Sequence, residues 1–135
     1  MNQNLDISKI EAALCGVLVG IVPASNIYPG ERPLENPKKD SKNDTFIVVS
    51  VPSSVKDKNA YGHTLVSVDL YVPSLENGRK PNKAISDLMD AVYNKMPSKG
   101  TFAFDTSLMP SISLGRDEHN YFVSRISLIS IIKTK

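Results

Sequence analysis

PNKAISDLMDAVYNKM, residues 81–96, places apolar side chains at Ile85, Leu88, Met89, Val92, Tyr93 and Met96. That is the i, i+3, i+4, i+7, i+8, i+11 series of one helical face. Ser86, Asp87, Asp90, Asn94 and Lys95 fall on the other face. Pro81 suits a first helical turn, where its missing N–H costs nothing. Pro97 stops continuation and pushes Met96 out of the α region. The spacing predicts a helix over 81–96 whose single apolar stripe needs a sheet or another helix against it.

The flanking segments read as that sheet. TFIVVSV (45–51) is dense in β-branched and aromatic residues and stops at Pro52. After a polar connection at 53–60, residues 61–72 alternate, with Val66, Val68, Leu70 and Val72 on one side and Leu65, Ser67, Asp69 and Tyr71 on a wetter one. The two stretches are expected to form an antiparallel hairpin. Residues 73–80, with Asn77-Gly78, turn the chain into the helix. Beyond it, 101–105 reads as a short strand or an extended link. Residues 111–114 and 121–132 pair around the turn at 115–120. The last strand places Phe122, Ile126, Leu128 and Ile132 on one face. Val123, Ile129 and Ile131 lie on the other, beside Arg125 and Ser127. A strand apolar on both faces is expected to be covered on both, by the first helix or by a neighbouring subunit.

Upstream, residues 7–19 form a second amphipathic helix, with Ile7, Ile10, Leu14, Val17, Leu18 and Ile21 on one face and Asp6 as N-cap. Gly16 and Gly20 weaken it by about 1 kcal/mol each relative to alanine and admit close approach of another backbone. Cys15 beside the stripe reads as a small core residue. The apolar run 12–22 lacks the basic flank of a signal peptide. Residues 23–43 are irregular, with four prolines and the polar run NPKKDSKND (36–44). The expected architecture is one domain, 1–135, of the α+β class. It has a mostly antiparallel sheet with two packed helices in the order α-β-β-α-β-β and a long irregular loop at about 23–44.

Composition narrows function by exclusion. A net charge of +2 in 135 residues is too small for an electrostatic case for nucleic-acid binding. A single cysteine forbids an internal disulfide. No stretch reaches the ~18 apolar residues of a membrane span. His63 reads as a surface residue, and His119 with Asp117 and Glu118 as a solvated turn without metal-ligand spacing. Asp69 reads as a solvated or paired surface carboxylate. The serines have no nucleophile-elbow context, and Gly78-Arg79-Lys80 lacks the rest of a phosphate loop. The acids of 36–44 are not spaced as in a calcium loop. The basic residues Lys56, Lys58, Arg79, Lys80, Lys99, Arg116, Lys133 and Lys135 are scattered, without aromatics between them. The expectation is no enzyme, no cofactor and no metal.

Several segments together, in order and length, resemble the tail terminator (tail completion, or neck) proteins of long-tailed phages. They are DISKIEAALCGVLVGIVP, the irregular link ending in a polar run, DTFIVVSV with YGHTLVSVDLYVP, PNKAISDLMDAVYNKM, and YFVSRISLISIIK. The likeness is one of architecture and texture and carries no catalytic residue. It implies an oligomeric ring, a hexamer, that caps the tail tube and docks the head connector in the virion. DNA would meet it only in passage through the lumen. On that view Lys38, Lys39, Lys42, Lys56 and Lys58 face the lumen or an adjoining ring. Arg116, Arg125, Ile129 and Ile131 join them as candidate subunit or partner contacts. Rival readings are an adaptor or chaperone-like binding module of a bacterial system, and a small enzyme.

Overall fold

The structure, a computed structural model, describes residues 7–32, 45–51, 56–57, 61–99, 102–107 and 109–133. Among them the chain forms helix α1 (Ile7–Leu18), strands β1 (Ile27–Pro29), β2 (Phe46–Ser50), β3 (Lys56–Asp57) and β4 (Tyr61–Pro73), helix α2 (Asn82–Tyr93), and strands β5 (Phe102–Thr106), β6 (Ile112–Arg116) and β7 (Tyr121–Lys133). The class is α+β, as the sequence predicts, with the expected order plus three short strands, β1, β3 and β5, the last of which makes a strand of the stretch left open between strand and link. Strand β1 lies inside the segment expected to be irregular, and β3 inside the polar connection. Neither is long enough to show a period of two.

The strands make one sheet in the order β1-β2-β4-β7-β5, with β3 added to β4 and β6 to β7. Only β1 runs parallel to its neighbour, β2. The frame is the pair β4 and β7, antiparallel from Tyr61↔Lys133 to Pro73↔Tyr121. Their length lets two shorter strands share one side of β7, with β5 beside 128–132 and β6 beside 122–125.

Both helices cover the same face of this sheet. Ile10, Leu14 and Leu18 of α1 and Val92 of α2 are fully buried, and Ile85 and Leu88 of α2 nearly so, in one core. They meet Ile47 and Val49 of β2, Val66, Val68 and Leu70 of β4, and Ile126 and Leu128 of β7. Each such side chain contributes roughly 1.5–3 kcal/mol by leaving water. The first helix therefore does not supply cover for the second face of β7. Cys15 packs half-buried against this core, and burial raises its thiol above the ordinary value, with the Glu11 charge adding to the effect.

The helix ends differ in detail from expectation. Pro81 sits just before α2 rather than in its first turn, and the helix closes at Tyr93 with Asn94 as cap. Met89, Tyr93 and Met96 still pack on the core, so the apolar stripe outlasts the helix. No atom lies within 4 Å of where a Cβ would stand on Gly16 or Gly20, so neither admits a close backbone. Gly20 instead takes φ +103°, which lets the chain leave α1. The expected cap Asp6 lies outside the described residues.

Candidate interaction surface

The pleat that turns Val66, Val68 and Leu70 toward the helices turns their neighbours to the opposite face of the sheet. Among the described residues no helix covers that outer face. It nonetheless carries buried side chains over much of its length, and it divides into three zones along β4 and β7.

At one end is an aromatic cluster. Phe46 stacks on Tyr71, with ring centroids 4.5 Å apart and planes 10° from parallel. Tyr121 and Tyr28 meet Phe46 edge-on at 5.1 and 5.7 Å. The guanidinium of Arg32, on the chain just past β1, lies 5.3, 5.5 and 6.0 Å from the rings of Phe46, Tyr71 and Tyr121. The ring quadrupoles attract it. Its Nε is also 3.7 Å from Oδ2 of Asp117. The other oxygen of Asp117 builds the β6–β7 turn by accepting the backbone N–H groups of His119 at 2.8 Å and Tyr121 at 3.0 Å. Asn120 takes φ +66° there, which asparagine tolerates. One carboxylate thus shapes the turn and faces the arginine. Burial, and next the Asp69 charge, push the Tyr71 phenol above its ordinary value of 10.0, against the opposing effect of Arg32.

In the middle, Asp69 and Arg125 face each other across β4 and β7. Nε of Arg125 donates to Oδ1 at 2.8 Å and Nη2 donates to Oδ2 at 3.0 Å. This is the bidentate form, in which two charge-assisted bonds share one geometry. Asp69 is only 6% exposed. It is paired, as one of the two sequence readings has it, but buried rather than at the surface expected from its place on the wetter side. The same hydrogen bond raises the pKa of Arg125. At the far end Leu65 and Ile129 pair in register, one exposed and one half-buried. Along β4 and β7 the described outer face from Leu65 to Tyr71 therefore holds one internally paired charge couple, while on β5 the half-buried carboxylate of Asp105 stands in register beside Ile129.

Arg116 and Phe122 frame the neighbouring edge. The Arg116 guanidinium donates to the carbonyl of Gly78 and lies 5.1 Å from the Phe122 ring centroid. Gly78 has φ +74°, and a Cβ there would stand 3.1 Å from Nη2 of Arg116. Glycine serves both the turn and the close approach. Of the basic residues expected to lie apart from aromatics, Arg116 meets Phe122, because that contact forms between β6 and β7 rather than along the chain.

The candidate contact residues are spread over the fold. Arg125 is committed to Asp69, and Arg116 to Gly78 and Phe122. Ile129 stands on the outer face, Ile131 lies in register with His63 and Ala103, and Lys56 lies on β3 opposite His63. Lys38, Lys39, Lys42 and Lys58 lie outside the described residues. Arg32 and Asp117, which organise the aromatic end, were not anticipated. An arginine in an irregular stretch has no periodicity to announce it.

No described cleft concentrates reactive groups. Two shallow grooves of about 250 and 320 Å³ flank Ala84 and Asp87 on α2. Their charged side chains, Lys83 and Asp87, bond to each other at 2.8 Å. The His119 ring lies 3.7 Å from the carboxylate of Glu118, its neighbour in the turn. Among the described residues no three His, Cys, Asp or Glu side chains gather as metal ligands, and no helix is long and apolar enough to cross a membrane. The chain matches no protein-family model and no curated protein.

Proposed function

We propose that this protein is a structural subunit that assembles with its own copies into a ring. In this reading the ring caps the tail tube of a phage or prophage and joins it to the head connector in the virion neck. The observation that carries the self-assembly half is the outer sheet face. A sheet needs cover on an apolar face. Among the described residues this one has helices on one side only, while the other presents Leu65 and Ile129 beside a pre-paired Asp69 and Arg125. The Asp69–Arg125 part of this face can meet protein without stranding a charge. Rings form when one patch meets a different patch on the next copy and the rotation closes. The station at the tail end rests on the resemblance in segment order and texture. Lysines 38, 39, 42, 56 and 58 are then the candidates to face passing DNA, where basic groups favour phosphate.

Sedimentation velocity and negative-stain imaging at micromolar concentration test the ring. Closed particles of uniform size are the expected result. The tail station is tested by adding the protein to polymerising tube subunits of the same phage. Tubes of limited length with capped ends are expected. A monomer at every concentration that also leaves tube length unchanged overturns the proposal.

A further inference from the structure

Strand β6 hydrogen-bonds to β7 on one side, and no described strand lies on its other side. Ile112, Ser113 and Leu114 are exposed in succession. Ile112, Leu114 and nearby Met109 are 49%, 46% and 51% exposed, and residues 107–115 hold no charged side chain. Open edges are normally guarded by proline, charge, bulges, shortness or cover, since their free N–H and C=O groups template another strand. The opposite edge of the sheet is guarded in that way: β1 has three residues and ends on Pro29, which has no N–H to donate. On β6 Pro110 falls outside the strand, and although the register with β7 shifts at Leu114, between Ser113 and Gly115, the exposed run 112–114 itself holds no proline and no charge.

We propose that the free edge of β6 pairs antiparallel with the β6 edge of a second copy about a two-fold axis at Ser113. The backbone edge selects an extended strand, and the side chains select an apolar one. The same segment read in reverse supplies both. Ile112 of each copy then faces Leu114 of the other, and Ser113 faces Ser113. Apolar cross-strand pairs of this kind stabilise antiparallel sheets. Charge permits it as well. Arg116 falls opposite Pro110, so the two Arg116 residues stand about 20 Å apart at roughly 3.3 Å per residue. That is well beyond the ~8 Å screening length at physiological salt. A contact this short buries less than the roughly 1,000 Å² of a stable interface, so the pair forms at micromolar concentration or above. It is isologous and closes with two copies. It is therefore independent of the ring, which needs two different patches.

The test is a cross-link. Ser113→Cys in a Cys15→Ala background, oxidised at micromolar concentration, is expected to yield a disulfide dimer on a non-reducing gel. Ser86→Cys, on the exposed face of α2, serves as the collision control. Adding Leu114→Lys to Ser113→Cys should reduce the dimer to the control level, with unchanged circular dichroism. Cross-linking of Ser113→Cys no faster than of Ser86→Cys overturns the inference. If the cysteine variant does not fold, sedimentation of the natural chain against Leu114→Lys decides: loss of a two-copy species supports the edge pair, and equal masses overturn it. Larger particles that survive Leu114→Lys report on the ring alone.

Discussion

The two faces of the sheet are held by different physics. The helix side is an area effect: Val66, Val68, Leu70, Ile126 and Leu128 lie against Ile10, Leu14 and Val92, and no single contact has a required angle. The outer side is directional. Arg125 must present its fork to Asp69, and Arg32 must lie over three rings while facing Asp117. The helix side should respond to lost volume. The outer side should respond to lost pairing even when volume is kept.

Removing core volume is expected to have the largest effect. Ile126→Ala leaves a cavity beneath both helices and should cost about 2–5 kcal/mol of unfolding free energy in a urea titration. Asp69→Asn keeps the shape and removes the charge, leaving the Arg125 guanidinium without its counter-ion. A loss of about 1–3 kcal/mol is expected, and a loss within error would show that the pair contributes geometry but little stability. Arg32→Ala should cost about 1 kcal/mol, the scale of a partly exposed cation–π contact. Arg32→Met, which keeps most of the stem, separates packing from charge.

Tyr71→Phe is the mildest test, and pH exposes it. The folded-state phenol titrates above its unfolded value of 10.0. Its contribution to stability is therefore fully present below pH 10 and lost as pH rises through the folded value. Unfolding curves of the natural chain should fall more steeply than those of Tyr71→Phe above pH 10, and no differently below it. Parallel curves across that range would mean that Tyr71 is as free to ionise as in the unfolded chain.

The helix side was legible because its rule is local. The stripe at 85, 88 and 92 and the alternation at 66, 68 and 70 each lie within one element, and the buried residues match them. On the outer side the same alternation was misread as wet. Asp69 and Ser67 are buried because β7 brings Arg125 to Asp69 from 56 positions away, a partner no window of sequence contains. Strands β1 and β3 escaped notice for a related reason. Three residues and two residues are recognised as strands only by what they pair with.

The residues alone determined the class of the fold, the two helices, the long strands and which side of each faces the core. Burial of apolar area follows the period of the backbone, and that period is written in the chain. Only the tertiary structure decided that both helices share one face, that an arginine from an irregular stretch settles among three rings, and that one sheet edge is guarded by proline while β6 has no described strand on its outer side. Those outcomes depend on which distant segments meet, and the free energy of meeting belongs to the pair rather than to either segment.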